Sequence, residues 1–236
     1  MKNPEKKSLG ARLWFWTKRI FLILFATHLL YLLILKWVDP PLTITQFISW
    51  ISGDGLKRDY VAGNEISSHL KLAVMASEDQ IFPDHSGFDW KNIKKAIEYS
   101  EKKPGRTLRG ASTISQQVAK NVFLWQGGGW LRKGLEAYFT KMIEWIWGKE
   151  RILEVYVNVI EMGKGIYGAE AAAQTYFRKH AKNLTRREAA MIAACLPNPK
   201  IYTVKPLHSH ISSRLSWIIS QMNYLVKDPD VQAVIK

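Results

Sequence analysis

Hydrophobic positions divide this chain into one long unbroken run and a series of shorter periodic ones. Ile20 to Leu35 is apolar apart from Thr27, His28 and Tyr31, and Leu13 to Phe15 with Trp37 and Val38 lengthen the run if Lys18, Arg19 and Lys36 extend their charged ends out of the apolar layer. About 20 such residues cross a bilayer as one tilted helix, and Trp14, Trp16 and Trp37 stand where an interfacial aromatic belt would put them. Pro40-Pro41 breaks that helix. Leu42 to Ile51 is apolar and partly β-branched, a pattern that does not choose between helix and strand, and Ser52-Gly53-Asp54-Gly55 is a turn cluster.

From Ile66 the pattern becomes helical. Leu70, Ala73, Val74 and Ser77 fall at i, i+3, i+4 and i+7, which predicts an apolar face that delivers Glu78 at the helix end. Lys91 to Ser100 is a short helix and Lys102 to Arg106 a basic turn. Thr113-x-x-Gln116 fits a capping box behind Gly110, Leu131 to Trp147 is a long aromatic-rich helix, and Ile152, Val155, Tyr156 and Val159 mark a mostly buried one in which Asn158 needs a buried partner. Gly163, Gly165 and Gly168 form a turn, Ala169 to Phe177 a small-residue helix, Thr185-x-x-Glu188 a second capping box, and His208 to Val226 a final amphipathic helix. The sum is mainly α after the anchor, with no βαβ alternation, zinc spacing, Walker-type phosphate loop or internal repeat. The segments are a basic tail and start of the anchor over 1–19, a transmembrane helix over 20–38, a juxtamembrane stretch over 39–65 and one domain over 66–236.

Charge then limits the partners. The 236 residues carry a formal net charge of +14, which attracts polyanions: nucleic acid, anionic lipid or phosphorylated substrates. Lys2, Lys6, Lys7, Arg12, Lys18 and Arg19 face a single acid, Glu5, on the N-terminal side of the run, so the positive-inside rule leaves the N-terminus in the cytoplasm and the domain outside it. A cleaved signal peptide is the competing reading, but Lys36 to Pro41 is no small-residue cleavage site. Nucleic acid is thereby excluded as a partner, and a membrane surface with a phosphate-bearing lipid accounts for the charge. Cys195, the one cysteine, lies in an apolar run and is a small buried hydrophobe.

Two blocks, Ala76 to Asp89 and Gly110 to Asn121, mix carboxylate, imidazole, hydroxyl, amide and ammonium at short spacings that neither a core nor a linker requires. A carboxylate at a helix C-terminus sits at the negative end of the macrodipole, which favours its protonated form and raises Glu78 toward the range of a useful base. Counted along a helix, Ser112, Gln116 and Lys120 share one side, where free amides and an ammonium suit a diphosphate; a capped surface helix with a polar stripe also explains Thr113 and Gln116, but not so polar a run next to the first block. Arg132, Lys133 and Glu136 have the spacing of ordinary intrahelical ion pairs, which leaves Glu136 undecided, and Glu188 is most simply a cap.

These residues carry a resemblance. Glu78-Asp79-x-x-Phe82-x-x-His85-x-Gly87-x-Asp89, Gly110-x-Ser112-Thr113-x-x-Gln116-Gln117-x-x-Lys120-Asn121, Arg132-Lys133-x-x-Glu136, Ile152-Leu153-Glu154-x-Tyr156-x-Asn158, and Glu188-Ala189-Ala190 leading to Leu196-Pro197-x-Pro199 stand in the order found in the peptidoglycan glycosyltransferases, and the chain most resembles the stand-alone, monofunctional branch of that family. The resemblance implies a lysozyme-like two-lobed glycosyltransferase domain that polymerises lipid II in the bacterial inner membrane, with no transpeptidase domain after Lys236. It implies Glu78 as the base that takes the proton from the acceptor sugar 4-hydroxyl, and Lys120, with Arg132 and Lys133 in support, as cations for the leaving undecaprenyl diphosphate. Glu136 would orient those cations or a divalent ion, magnesium or manganese, the one cofactor the resemblance leaves open. Ser112, Gln116, Gln117 and Asn121 would line the donor cleft, while Asp79, Phe82 and His85 shape the first block. The product would be β-1,4-linked glycan formed with inversion, and other cell-wall synthesis or division proteins are the partners it leaves open besides lipid II, the growing glycan and the membrane. One position departs from the family: Gly128 stands where an arginine is common, so that either Arg132 takes over its contact or donor binding is weaker. The rival readings are a lysozyme-type hydrolase with Glu78 as acid, which needs a second carboxylate or a positioned water, and a membrane-tethered interaction protein on a decayed scaffold.

Overall fold

The structure is a computed structural model that describes residues 8–102 and 112–236, without the side chain of Ser100. The basic turn, apart from Lys102, and Gly110 lie outside the described residues. The described residues form two compact units, divided between Val38 and Asp39.

In the first unit, helix α1 (Leu9–Ile34) is long and apolar enough to cross a membrane. It starts earlier than the apolar run because Ser8 caps it, accepting the Ala11 N–H, and because the basic residues lie along aromatic rings: Lys18 Nζ stands 4.7 Å from the centre of Trp14 and the Arg19 guanidinium 4.3 Å from that of Phe15. It closes in turns from Leu35, before Val38.

The second unit begins with α2 (Ile44–Ile51), so the ambiguous apolar run is a helix, started by a capping box between Thr43 and Gln46. Its polarity is inverted. Gln46 and Ser49 are buried, whereas Ile44, Phe47, Ile48 and Ile51, at i, i+3, i+4 and i+7, are exposed. Strand β1 (Lys57–Arg58) follows, then α3 (Ser68–Glu78), α4 (Trp90–Lys102), α5 (Ile114–Phe123), α6 (Trp130–Ile146), α7 (Lys149–Val159), strands β2 (Glu161–Gly163) and β3 (Ile166–Tyr167), α8 (Ala169–Phe177), α9 (Arg186–Cys195), α10 (Ser209–Leu225) and α11 (Pro229–Ile235).

Two helical groups make the expected mainly α, two-lobed core. Helix α3 packs on α9 and α10, and α5 packs on α6 and α7, with α3 also touching α7. The predicted face of α3 is buried: Leu70, Ala73 and Val74 are 0% exposed. Asn158 finds its partner in the segment before α3, where its side-chain oxygen accepts the Val61 N–H and its amide donates to Val61 O and Glu154 O. Cys195 is buried with its S–H directed at Met162 O, and burial pushes its thiol up. Glu188 is the cap expected of it, accepting from Thr185 N–H.

The glycine-rich turn is more ordered than its composition indicated. Strand β3 pairs parallel with β1 and antiparallel with β2, so residues 57–58 of the juxtamembrane stretch belong to the domain's sheet. Runs of two or three residues are too short to show a strand period. Beyond α10 the chain forms one further helix than the hydrophobic pattern predicts: Asp228 caps α11, with Pro229 at its first turn.

Gly168 has a left-handed φ of +88°, and a Cβ there would lie 2.5 Å from Asn158 O. Gly168→Ala is therefore expected to destabilise the domain by about 2 kcal/mol or more. Gly134, inside α6, has nothing within 4 Å of its Cβ position, and Gly134→Ala is expected to stabilise by roughly 0.5–1 kcal/mol. Thermal melts of the two variants in detergent check the opposite signs.

Candidate active site

The site is assembled where the end of α3 meets the start of α5. Helix α3 terminates at Glu78 because Asp79 leaves the helical conformation, with φ −161° and ψ 82°. The Asp79 carboxylate turns to the start of α5, where it accepts the Ile114 N–H at 3.0 Å, and takes a hydrogen bond from His85 Nε2 at 3.0 Å. His85 Nδ1 accepts the Gly87 N–H at 3.1 Å, which leaves Nε2 as the nitrogen that donates to Asp79. Thr113 Oγ1 donates to Gly87 O at 2.7 Å. The end of one helix, the loop after it and the beginning of the next are thus stitched through one buried carboxylate.

Glu78 projects from that junction. Its Oε2 accepts from Gln117 Nε2 at 3.1 Å and its Oε1 from Ser77 Oγ at 3.1 Å. Burial pushes its carboxyl above the usual range, against the hydrogen bonds of Gln117 and Ser77 and the positive charge of Arg214, while Asp79 adds to the rise. Desolvation is thus the leading cause, where the macrodipole alone had been expected to act.

Two cavities flank the Glu78–Gln117 bond. One, of about 340 Å³, is lined by Glu78, Asp79, Asp89, Lys91, Lys95 and Ser112. The other, of about 500 Å³, is lined by Gln117, Lys120, Asn121, Glu161, Tyr167 and Asn198 among others. Burial lowers the pKa of Lys120, opposed by the negative charge of Glu136, and among the described residues its ammonium has neither a hydrogen-bond nor an ion-pair partner. Asn121 is held by its amide on Gln117 O at 2.9 Å and by Gln126 Nε2 on its oxygen at 2.9 Å.

Glu136 is 2% exposed and takes Arg132 at 2.7 Å and Lys133 on its two oxygens. These are the intrahelical pairs that spacing allowed, but in a buried setting, where an unpaired carboxylate would be costly. Both oxygens are engaged, and among the described residues no three His, Cys, Asp or Glu side chains gather, so the divalent ion has no ligand set there. Gly128 has φ +99°, and a Cβ on it would stand 3.1 Å from Arg132 Cδ, so the Arg132 side chain covers the departing position.

Not every expected residue meets substrate space. Gln116 accepts the Thr113 N–H with its side-chain oxygen and lines neither cavity; the capping box and the polar stripe competed for the same residue, and the cap holds it. Ser112 precedes the helix and opens on the smaller cavity, Lys120 on the larger, so the three do not share one face. Phe82 is 0% exposed and Asp79 7%, and with His85 they hold the loop. Other residues escaped notice. Lys149 Nζ bonds Glu144 at 2.7 Å and also His85 O, and Glu144 accepts from Ser115 Oγ, tying α7 and α6 to both blocks. Tyr156 OH donates to Gln117 Oε1 at 3.1 Å. A phenol in an aliphatic buried stripe was the available signal, since a buried hydroxyl needs a partner.

With this geometry established, comparison with known proteins is informative. A family model described as Transglycosylase matches residues 45–223. A protein named biosynthetic peptidoglycan transglycosylase from Shewanella oneidensis is 46% identical, over 91% of this chain and 93% of its own. Proteins of the same name from Mannheimia succiniciproducens and Pseudomonas fluorescens are 54% identical over 71% of this chain and 68% of theirs, and 44% identical over 94% and 91%. The family match covers the helices that carry Glu78, Gln117, Lys120, Glu136 and Tyr156, and the chain belongs to the transglycosylase family.

Proposed function

We propose that this protein is a peptidoglycan glycosyltransferase that polymerises lipid II into β-1,4-linked glycan and releases undecaprenyl diphosphate. One observation carries the assignment of roles: Glu78, a carboxyl whose ionisation is disfavoured, lines the smaller cavity and is hydrogen-bonded to Gln117, which lines the larger one beside Lys120, an ammonium without a partner among the described residues. In this reading the acceptor 4-hydroxyl approaches from the smaller cavity and Glu78 takes its proton as the oxygen attacks the anomeric carbon of the lipid-linked donor. Lys120 faces the diphosphate in the larger cavity and balances the negative charge that grows as the sugar–phosphate bond breaks. Direct displacement needs no covalent glycosyl intermediate, so the configuration inverts. Asn121 and Gln117 line the donor side and Ser112 the acceptor side. Glu136 holds Arg132 and Lys133 in place near Lys120, and Arg132, lying over Gly128, supplies the cation that the family more often places at that position.

A hydrolytic reading would need a second free carboxylate for water. Asp79 is buried and bonded to His85 and Ile114, which leaves it unsuited to that task.

The domain stands outside the cytoplasmic membrane on the single span of α1, with the basic N-terminus inside. The outward apolar row of α2 supports the membrane as a partner, and other wall-synthesis proteins are natural neighbours for an enzyme that makes glycan.

Three variants test this reading. Glu78→Gln lowers lipid II polymerisation by about 10²–10⁴-fold, measured by separating glycan products. Because folding raises the Glu78 pKa from 4.5, the residue contributes stability that is present below pH 4.5 and lost as pH rises through the folded value. Glu78→Gln should accordingly melt higher than the parent at pH 8, with the difference shrinking toward pH 4. Lys120→Met reduces turnover by about 10²-fold or more, on the scale of losing one donor to the developing anion. Gly128→Arg gives no faster polymerisation and costs about 1–3 kcal/mol, since the position has a left-handed φ and is already covered; kinetic assay and thermal melt check both halves.

A further inference from the structure

The resting orientation of Gln117 sets what Glu78 can do, and Tyr156 sets that orientation. An amide side chain is two-faced, with N–H donors on one end and a carbonyl acceptor on the other. Gln117, on α5, turns its Nε2 toward Glu78 at 3.1 Å and its Oε1 toward the Tyr156 hydroxyl at 3.1 Å. Tyr156, on α7, is 0% exposed, and among the described residues Gln117 is the partner of its hydroxyl. Rotating the amide by half a turn would place a carbonyl against Glu78 and deprive a buried O–H of its acceptor. The first change is tolerable when Glu78 carries a proton to donate; the second is unfavourable whatever Glu78 does.

We propose that Tyr156 is a positioning residue for the catalytic base, its hydroxyl holding the Gln117 amide so that Gln117 hydrogen-bonds the ionised Glu78 carboxylate and not the acid. The proposal rests on the reading of Glu78 as base and adds to it the device that keeps a buried carboxyl ready to accept a proton. Burial favours the acid form of Glu78, and the phenol, acting through the amide, favours the anion.

The groups facing Glu78 leave the assignment testable by pH. Ser77 and Asp79 come from the end of α3, Gln117 and Lys120 from α5, Tyr156 from α7, Cys195 from α9 and Arg214 from α10, with Glu136 of α6 acting on Lys120. Burial raises the pKa of Tyr156 and of Cys195 and holds both in their neutral, protonated forms. Asp79 and His85 are bonded to each other, to Ile114 and to Gly87, none of which Tyr156 reaches by hydrogen bond. A difference in the acidic limb between parent and a Tyr156 variant therefore reports on Glu78.

The experiment measures kcat/KM for lipid II polymerisation by the full chain in detergent, across pH, for the parent and Tyr156→Phe. The expected result is an acidic limb displaced upward by about one pH unit, a tenfold loss on that limb, with the high-pH plateau within a few-fold of the parent. Incorporating 4-aminophenylalanine at position 156, which restores a donor of similar shape, should return the limb toward its original place. Gln117→Leu should also raise the limb, and adding Tyr156→Phe to it should move the limb no further. A limb that stays where the parent has it, whatever happens to the plateau or the melting temperature, overturns the proposal, as does a further shift in the double variant. Tyr156→Met, which also lacks the hydroxyl, takes the place of Tyr156→Phe if that variant does not fold. The two readings fail separately: an active Glu78→Gln enzyme removes the base itself, whereas an inactive Glu78→Gln enzyme with an unmoved Tyr156→Phe limb removes only the role of Tyr156.

Discussion

The site depends on the buried carboxylate of Asp79. It accepts a backbone N–H from the first turn of α5 and a hydrogen bond from His85, and it immediately follows the last residue of α3. One anion therefore fixes the exit of one helix against the entry of another, at a point where the free amides of a helix N-terminus welcome negative charge. The angle at which Glu78 and Gln117 meet follows from that clamp. The loop between is locked in turn by Thr113 on Gly87 and by Lys149 on His85 O, so the two sequence blocks are held together although twenty residues separate them.

Desolvation works on both charged partners of the reaction. It raises Glu78 and lowers Lys120, so that each is pushed toward its neutral form. Each also has an opposing influence at hand: Gln117, Ser77 and Arg214 for the acid, Glu136 for the lysine. Neighbouring hydrogen bonds and charges thus work against that push in place of water, and these neighbours are set by position in the fold more than by position in the sequence. Glu136 illustrates the balance, since its own helix supplies the cations that permit a carboxylate at 2% exposure.

Much of this was legible in the chain itself. The α3 stripe, both threonine-led capping boxes and the need of Asn158 for a buried partner are consequences of local period and hydrogen-bond count, and the structure contains them. Glu78, Lys120 and Glu136 were legible as chemistry because their types at those spacings suit neither core nor linker. What stayed hidden depended on distant partners or on two local patterns that fit the same residues. Gln116 fitted both a cap and a stripe, and the fold uses it as the cap, while Lys149 and Glu144 carry no local signal, since their partners His85 and Ser115 lie far off along the chain. The inverted polarity of α2 could not be read from its apolar content, because the direction of the buried face depends on what Gln46 and Ser49 meet. Tyr156 was counted correctly as core; its hydroxyl acquires meaning only next to Gln117.

Gln117 lines the larger cavity with its body while its amide nitrogen reaches the group bordering the smaller one. A molecule built to block the larger cavity by pressing on this side chain would confront the cell with an awkward choice. Exchanging Gln117 to evade the drug would also disturb the acid that the blocked reaction needs, which leaves resistance few affordable routes at this position.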